Sequence, residues 1–123
     1  HDFLRDKTKA GSLELKAATG IGLSRARLPG DLQVRWRAAG ELFRPAGARN
    51  RRPLRKWLQE RGVLPWFRQR VPLVMAQGEI AAIGDLAYGH GFHAQPGEPS
   101  WVVEWQGRPL LTEQEALETR PIP

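Results

Sequence analysis

The segment FRPAGARNRRPLRKWLQERGVLPWFRQRVP, residues 43–72, decides how the chain is organised. Phe43 to Asn50 mix proline, glycine and small residues, the composition of a loop. Asn50 can cap a helix and Pro53 is tolerated in a first turn. The spacing therefore predicts a helix over 51–61, with Gly62 at the left-handed position just past its end. Leu54, Trp57, Leu58 and Arg61 then share one side, and Arg52, Arg55, Lys56 and Gln59 take the others, so the helix is amphipathic and cationic. Pro65 opens a further helical turn with Trp66 and Phe67, and Pro72 stops it.

On the N-terminal side, Leu32, Val34 and Trp36 alternate with Gln33, Arg35 and Arg37, the period of a strand with one buried face and both arginines on the solvent side. Residues 13–28 carry a looser strand signal broken by Gly20 and Gly22, and Pro29-Gly30-Asp31 reads as a turn. The first dozen residues show no period and are read as a leader, leaving 13–123 as a single domain. On the C-terminal side, Leu73–Met75, Gln77-Gly78 and Ile80–Ile83 form a hairpin signal, because a residue-Gly pair between apolar runs suits a tight primed turn. Strands are expected near 86–88 and at 101–105, apart from the Gly/Pro loop 89–100. Thr112 with Glu115 has the spacing of a capping box for a short terminal helix. The sum is an α+β fold: a small, mostly antiparallel sheet with one main basic helix.

A chain of 123 residues is one domain's worth and can support one core. No apolar run reaches the ~18 residues of a membrane span, so no membrane partner is expected. The chain has no cysteine, which excludes disulfides and thiolate metal sites and fits a reducing, cytoplasmic compartment. The net charge of +6 is unevenly spread: residues 35–70 hold eleven basic and two acidic side chains, a net of +9, and the rest of the chain sums to −3. Such a concentration marks a surface for a polyanion.

Arginine outnumbers lysine ten to one in that stretch. Its planar fork gives phosphate two parallel hydrogen bonds, and it stacks on rings as well. Arg44 and Arg49 in the loop and Arg51 and Arg52 at the expected helix start converge with the free N–H groups of a helix N-terminus on a phosphate site. The bland reading, arginine stems covering apolar surface with their charges in water, stands beside it. Trp57, Trp101 and Trp105 read as core; Trp66, between Pro65 and Arg68, suits either packing or base stacking. His90 and His93 have no third ligand nearby, so no metal is expected. Neither a G-x-G-x-x-G nor a G-x-x-x-x-G-K-[ST] run is present, and no serine has the context of a catalytic nucleophile.

The ordered combination Phe43-Arg44-Pro45-x-Gly47, Leu54-Arg55-Lys56, Gln59-Glu60, Gly62-Val63, Pro65-Trp66-x-Arg68 and Pro72-Leu73 resembles the C-terminal domain of bacterial tRNA(Ile)-lysidine synthetases, over about residues 30–106. The resemblance implies a fold similar to a domain of the phenylalanyl-tRNA synthetase β subunit. It implies a tRNA-binding role on the acceptor-stem side, the partner being the isoleucine tRNA with a CAU anticodon. In the parent enzyme an N-terminal PP-loop domain joins lysine to the wobble cytidine using ATP and magnesium; its S-G-G-x-D-S motif has no counterpart here, so this fragment is expected to hold no cofactor and no catalytic residue. A homodimeric parent is left open. The expected RNA contacts are Arg35, Arg37, Arg44, Arg49, Arg51, Arg52, Arg55 and Lys56. Phe43, Pro45, Gly47, Leu54, Trp57, Pro65, Trp66, Arg68 and Pro72 are expected as motif residues that shape the loop and its packing. Two alternatives remain: a module that docks on, or signals to, other domains of its own enzyme, and a general nucleic-acid binder.

Overall fold

A computed structural model describes residues 7–8, 11–28, 32–37, 40–107, 112 and 115. Ten strands occur in the order β1 (Lys7–Thr8), β2 (Gly11–Thr19), β3 (Leu23–Ser24), β4 (Leu32–Arg35), β5 (Leu42–Phe43), β6 (Arg52–Pro53), β7 (Leu73–Ala76), β8 (Glu79–Ile83), β9 (Ala87–Tyr88) and β10 (Pro99–Gln106). One α-helix, α1 (Leu54–Glu60), and two 3-10 turns, Arg25–Arg27 and Pro65–Phe67, complete the described elements. The fold is α+β, and every strand pairing is antiparallel. The single expected sheet is instead two four-stranded sheets, β1-β2-β10-β3 and β4-β7-β8-β9, with a two-stranded ribbon, β5-β6.

The first sheet joins the two ends of the described chain. β2 and β10 pair from Ser12↔Gln106 to Thr19↔Pro99. Leu13 and Leu15 face Trp105 and Val103 across the strands, and all four are buried. The outer face pairs Glu14 with Glu104, like charges that Lys16 bridges at 3.7 and 3.9 Å. β1 and the first two residues of β2 fall within the dozen residues that showed no period: Thr8 pairs with Gly11 and Lys7 with Ser12. A two-residue strand offers no alternation to read.

In the second sheet, β7 is buried at every position and β8 at all but Glu79, because these two strands lie between neighbours. Gln77 and Gly78, with φ of 52° and 77°, make the primed turn that the residue-Gly pair foretold. Gly89 donates to Ala81 O at 2.8 Å, and a Cβ there would stand 2.3 Å from Ile80 O, so only glycine permits this approach. β4 alternates as expected from Leu32 to Arg35, with Leu32 and Val34 half-buried and Gln33 and Arg35 exposed. The alternation fails beyond it: Trp36 is exposed and Arg37 half-buried, because the ladder ends at Arg35 and the pleat no longer fixes which side faces the core. The expected Pro29-Gly30-Asp31 turn lies outside the described residues.

The helix starts later than the sequence suggests. Arg52 and Pro53 pair with Phe43 and Leu42, so the chain stays extended until Leu54. Asn50 therefore does not cap it; the N-cap position is Pro53, which makes no side-chain cap, and the Leu54 N–H is taken by Glu41 O at 2.9 Å. The other end follows expectation. Gly62 has φ 78°, its N–H bonds Gln59 O, and the Val63 N–H reaches back to Leu58 O, both at 3.0 Å, a Schellman closure. Leu54, Trp57 and Leu58 are buried, whereas Arg55, Lys56, Gln59 and Glu60 are exposed.

One core joins both sheets and the helix. Trp105 of the first sheet packs on Gly84 at the end of β8, where a Cβ would meet its ring at 3.0 Å. Tyr88 Oη accepts the Val103 N–H at 3.0 Å, linking β9 to β10 across the two sheets. At Thr112 the capping box is present in both directions: Thr112 N–H to Glu115 Oε2 at 3.1 Å and Glu115 N–H to Thr112 Oγ1 at 3.0 Å. The rest of the expected terminal helix lies outside the described residues. No helix among the described residues is long and apolar enough to cross a membrane.

Candidate nucleic-acid interface

The basic segment is held by aromatic packing at its base. Phe43 is buried and meets the Trp57 ring edge to face at 5.3 Å, tying the β5-β6 ribbon to α1. Pro45 bridges to Gly89, Ala46 N–H bonds Tyr88 O at 3.0 Å, and His90 N–H bonds Arg44 O at 2.8 Å, so the loop lies against the chain after β9. Gly47, with φ 80°, turns the exposed tip, and the Arg44 Nε–H closes it onto Ala48 O at 2.8 Å. Pro65 opens its 3-10 turn as expected, the Arg68 Nε–H bonds Val63 O at 2.9 Å, and Pro72 is buried with its carbonyl accepting from Gly84 N–H at 2.8 Å. Trp66 is 64% exposed, and Leu54 and Trp57 belong to the core.

The cations divide into engaged and free groups. Arg35 grips Glu41 with both guanidinium branches, at 3.1 and 2.7 Å, and Nη1 also donates to Trp36 O. Arg51 pairs with Glu79, and Arg52 pairs with Glu60. Arg61 stacks on Trp57 with its guanidinium carbon 4.9 Å from the ring centroid. Arg37 is half-buried rather than facing solvent, and its Nη1 is buried without a hydrogen-bond partner. By contrast Arg49, Arg55, Lys56 and Arg70 are exposed, and their side chains contact no acid or acceptor among the described residues. At the helix start, Arg51 and Arg52 precede the helix, Pro53 has no N–H, and the Leu54 N–H is already bonded to Glu41 O.

Glu79 lies 28 positions from Arg51, and nothing local in the sequence announces that pair. The Arg61–Trp57 stack does have a signal, the i, i+4 spacing on a helix. Arg70 belongs to the counted basic stretch but is not among the expected contacts. Below the loop a cavity of about 310 Å³ is bordered by Arg44, Arg51, Glu79 and His90, with Leu42 and Phe92 as apolar wall. His90 and His93 stand with ring centroids 6.0 Å apart, and no group of three or more His, Cys, Asp or Glu among the described residues could hold a metal.

The family described as TilS substrate C-terminal domain matches residues 32–105. Among curated proteins, the chain is 32% identical over 96 residues to a tRNA(Ile)-lysidine synthase of Nitrosomonas europaea, covering 77% of this chain and 21% of that protein. It is 39% identical over 77 residues to that of Methylococcus capsulatus, covering 62% and 18%, and 32% identical over 101 residues to that of Aromatoleum aromaticum, covering 79% and 23%. The chain thus spans about a fifth of the length of these relatives. The matched region runs from β4 to β10 and takes in the loop, the helix, the second sheet and the cavity, over more than half of the chain; the protein belongs to the TilS substrate C-terminal domain family.

Proposed function

We propose that this chain is the tRNA-binding C-terminal portion of a cytoplasmic tRNA(Ile)-lysidine synthase. It grips the acceptor-stem side of the isoleucine tRNA with a CAU anticodon, while an N-terminal PP-loop domain uses ATP and magnesium to join lysine to the wobble cytidine. The observation that carries the reading is the set of exposed cations without an acid partner among the described residues, Arg49, Arg55, Lys56 and Arg70, in a member of this family. A-form RNA hides its major groove, so a protein that holds a stem meets phosphates and 2′-hydroxyls. Cations that owe nothing to the fold suit that task, because they bind phosphate without first breaking an internal contact. Helix α1 supports it further, with apolar Leu54, Trp57 and Leu58 inside and Arg55 and Lys56 outside.

The test is a salt titration of the 123-residue chain against this tRNA and against duplex DNA of equal charge. Binding of the tRNA that falls steeply with salt and exceeds DNA binding supports the reading. Equal affinity for DNA points to a general nucleic-acid module. A folded chain that ignores both at low salt sinks RNA binding in favour of docking on other domains of the enzyme.

A further inference from the structure

The cavity beneath the basic loop differs in kind from the free cations around it. Its volume, about 310 Å³, sits at the low end of the roughly 300–1,000 Å³ of small-molecule sites. A stem meets a protein through ridges of phosphate and has no use for a recess of this size, whereas an unpaired nucleotide can swing its base out into one. Leu42, 53% exposed, and Phe92 give it an apolar side. Arg44 and Arg51 give it a cationic side. Its frame is tied: the 43–46 and 88–90 segments are joined by the Pro45–Gly89 bridge and by the bonds from Ala46 N–H and His90 N–H. At Gly91, which borders the cavity with φ 88°, a Cβ would meet nothing within 4 Å, so the recess is not packed from that side.

We propose that this cavity seats one unpaired nucleotide of the bound RNA, its base against Leu42 and Phe92 and its phosphate on Arg44 and Arg51, with Glu79 holding Arg51 until the phosphate takes its place. The proposal rests on the RNA-binding reading above and deepens it. Arg51 and Glu79 are both well exposed, with side chains 59% and 49% accessible, so their pair is cheap to open. A phosphate can take both branches of the Arg51 fork, where Glu79 holds only Nη2, and it also neutralises Arg44, which Glu79 does not pair. Glu79 therefore works against the ligand: it competes for Arg51 and repels the incoming anion.

The experiment is a titration of the 123-residue chain with adenosine 5′-monophosphate, adenosine and inorganic phosphate, followed by amide proton–nitrogen NMR. The nucleotide is expected to shift the amides of Gly78, His90 and Gly91 and to bind more tightly than either half alone. Arg51→Gln should weaken it, and Glu79→Gln should tighten it about two- to fivefold, the worth of an exposed ion pair. Glu79 is the exposed first residue of β8, so this variant folds, and any loss of nucleotide affinity in it overturns the proposal. Phosphate binding as tightly as the nucleotide also overturns it, since the apolar wall would then contribute nothing. In a second arm, a blunt RNA hairpin is compared with the same hairpin carrying a short unpaired 3′ extension. The extension should add affinity and the Gly91 shift. A blunt hairpin that binds while neither the nucleotide nor the extension moves these amides removes the pocket and leaves stem gripping intact. Nucleotide binding at these amides without any hairpin binding supports the pocket and removes the stem-gripping reading instead.

Discussion

Tyr88 shows how one side chain can serve two sheets. Its hydroxyl accepts the Val103 N–H at 3.0 Å, so β9 and β10 share a hydrogen bond across the core. Burial pushes the phenol's pKa above its ordinary 10.0, the Val103 N–H pulls it down, and the Asp85 charge pushes it up again, with a net rise. A raised pKa in the folded state means that the protonated form is favoured by folding. The stabilisation is fully present below the unfolded value of about 10 and is lost as pH climbs through the folded one. Tyr88→Phe should cost about 1–3 kcal/mol at neutral pH, because the buried Val103 N–H loses its acceptor. Urea denaturation at pH 7 and at pH 11 checks both parts: the gap between wild type and variant should narrow at the higher pH, and a constant gap would mean that Tyr88 does not titrate within the fold.

At the scale of elements, the β7–β8 turn carries a local misfit that can be repaired. Gln77 sits at φ 52°, a left-handed conformation that asparagine and glycine tolerate better. Gln77→Asn should raise stability by roughly 0.5–1 kcal/mol, read as a higher thermal midpoint; an unchanged midpoint would show that the turn frays before the fold does. The helix end makes the opposite case, and Gly62→Ala should cost about 1 kcal/mol because φ 78° strains any Cβ. These two features were legible in the sequence because turn and cap chemistry is local: Gln77-Gly78 and Gly62 carry their own conformational requirements. The helix start was not legible. Asn50 and Pro53 offer good local cap and first-turn chemistry, yet Arg52 and Pro53 pair with Leu42 and Phe43, a tertiary choice that no window around residue 50 contains. Trp36 and Arg37 failed for a related reason, since the alternation of β4 has meaning only as far as β7 lies beside it. The split into two sheets was hidden likewise, because it depends on β2 finding β10 across most of the chain.

Over the whole molecule, the net +9 of residues 35–70 is not one undivided surface. Glu41, Glu60 and, from outside the stretch, Glu79 engage Arg35, Arg52 and Arg51, and Arg37 turns partly inward. Sequence counting measured the charge correctly but could not say which charges the fold keeps for itself, because partners such as Arg51 and Glu79 meet only in three dimensions. Free and engaged cations should therefore behave differently when removed. The combined change of Arg49, Arg55 and Lys56 to Ala removes no side-chain hydrogen bond or ion pair among the described residues, so the melting temperature should hold while tRNA affinity falls. Each phosphate contact contributes about 0.7–0.9 to the slope of log K against log salt, so three lost contacts should flatten it by roughly 2–2.7. Changing Arg35 and Arg52 to Ala instead breaks two ion pairs worth about 0.2–1 kcal/mol each, which lowers stability, and should move the slope by less than one contact. The two variants compared in one salt series give a difference of slopes that does not depend on how tightly the wild type binds. If both flatten the slope equally, the RNA opens the internal pairs as readily as it meets the free cations, and the division by ion pairing has no bearing on recognition.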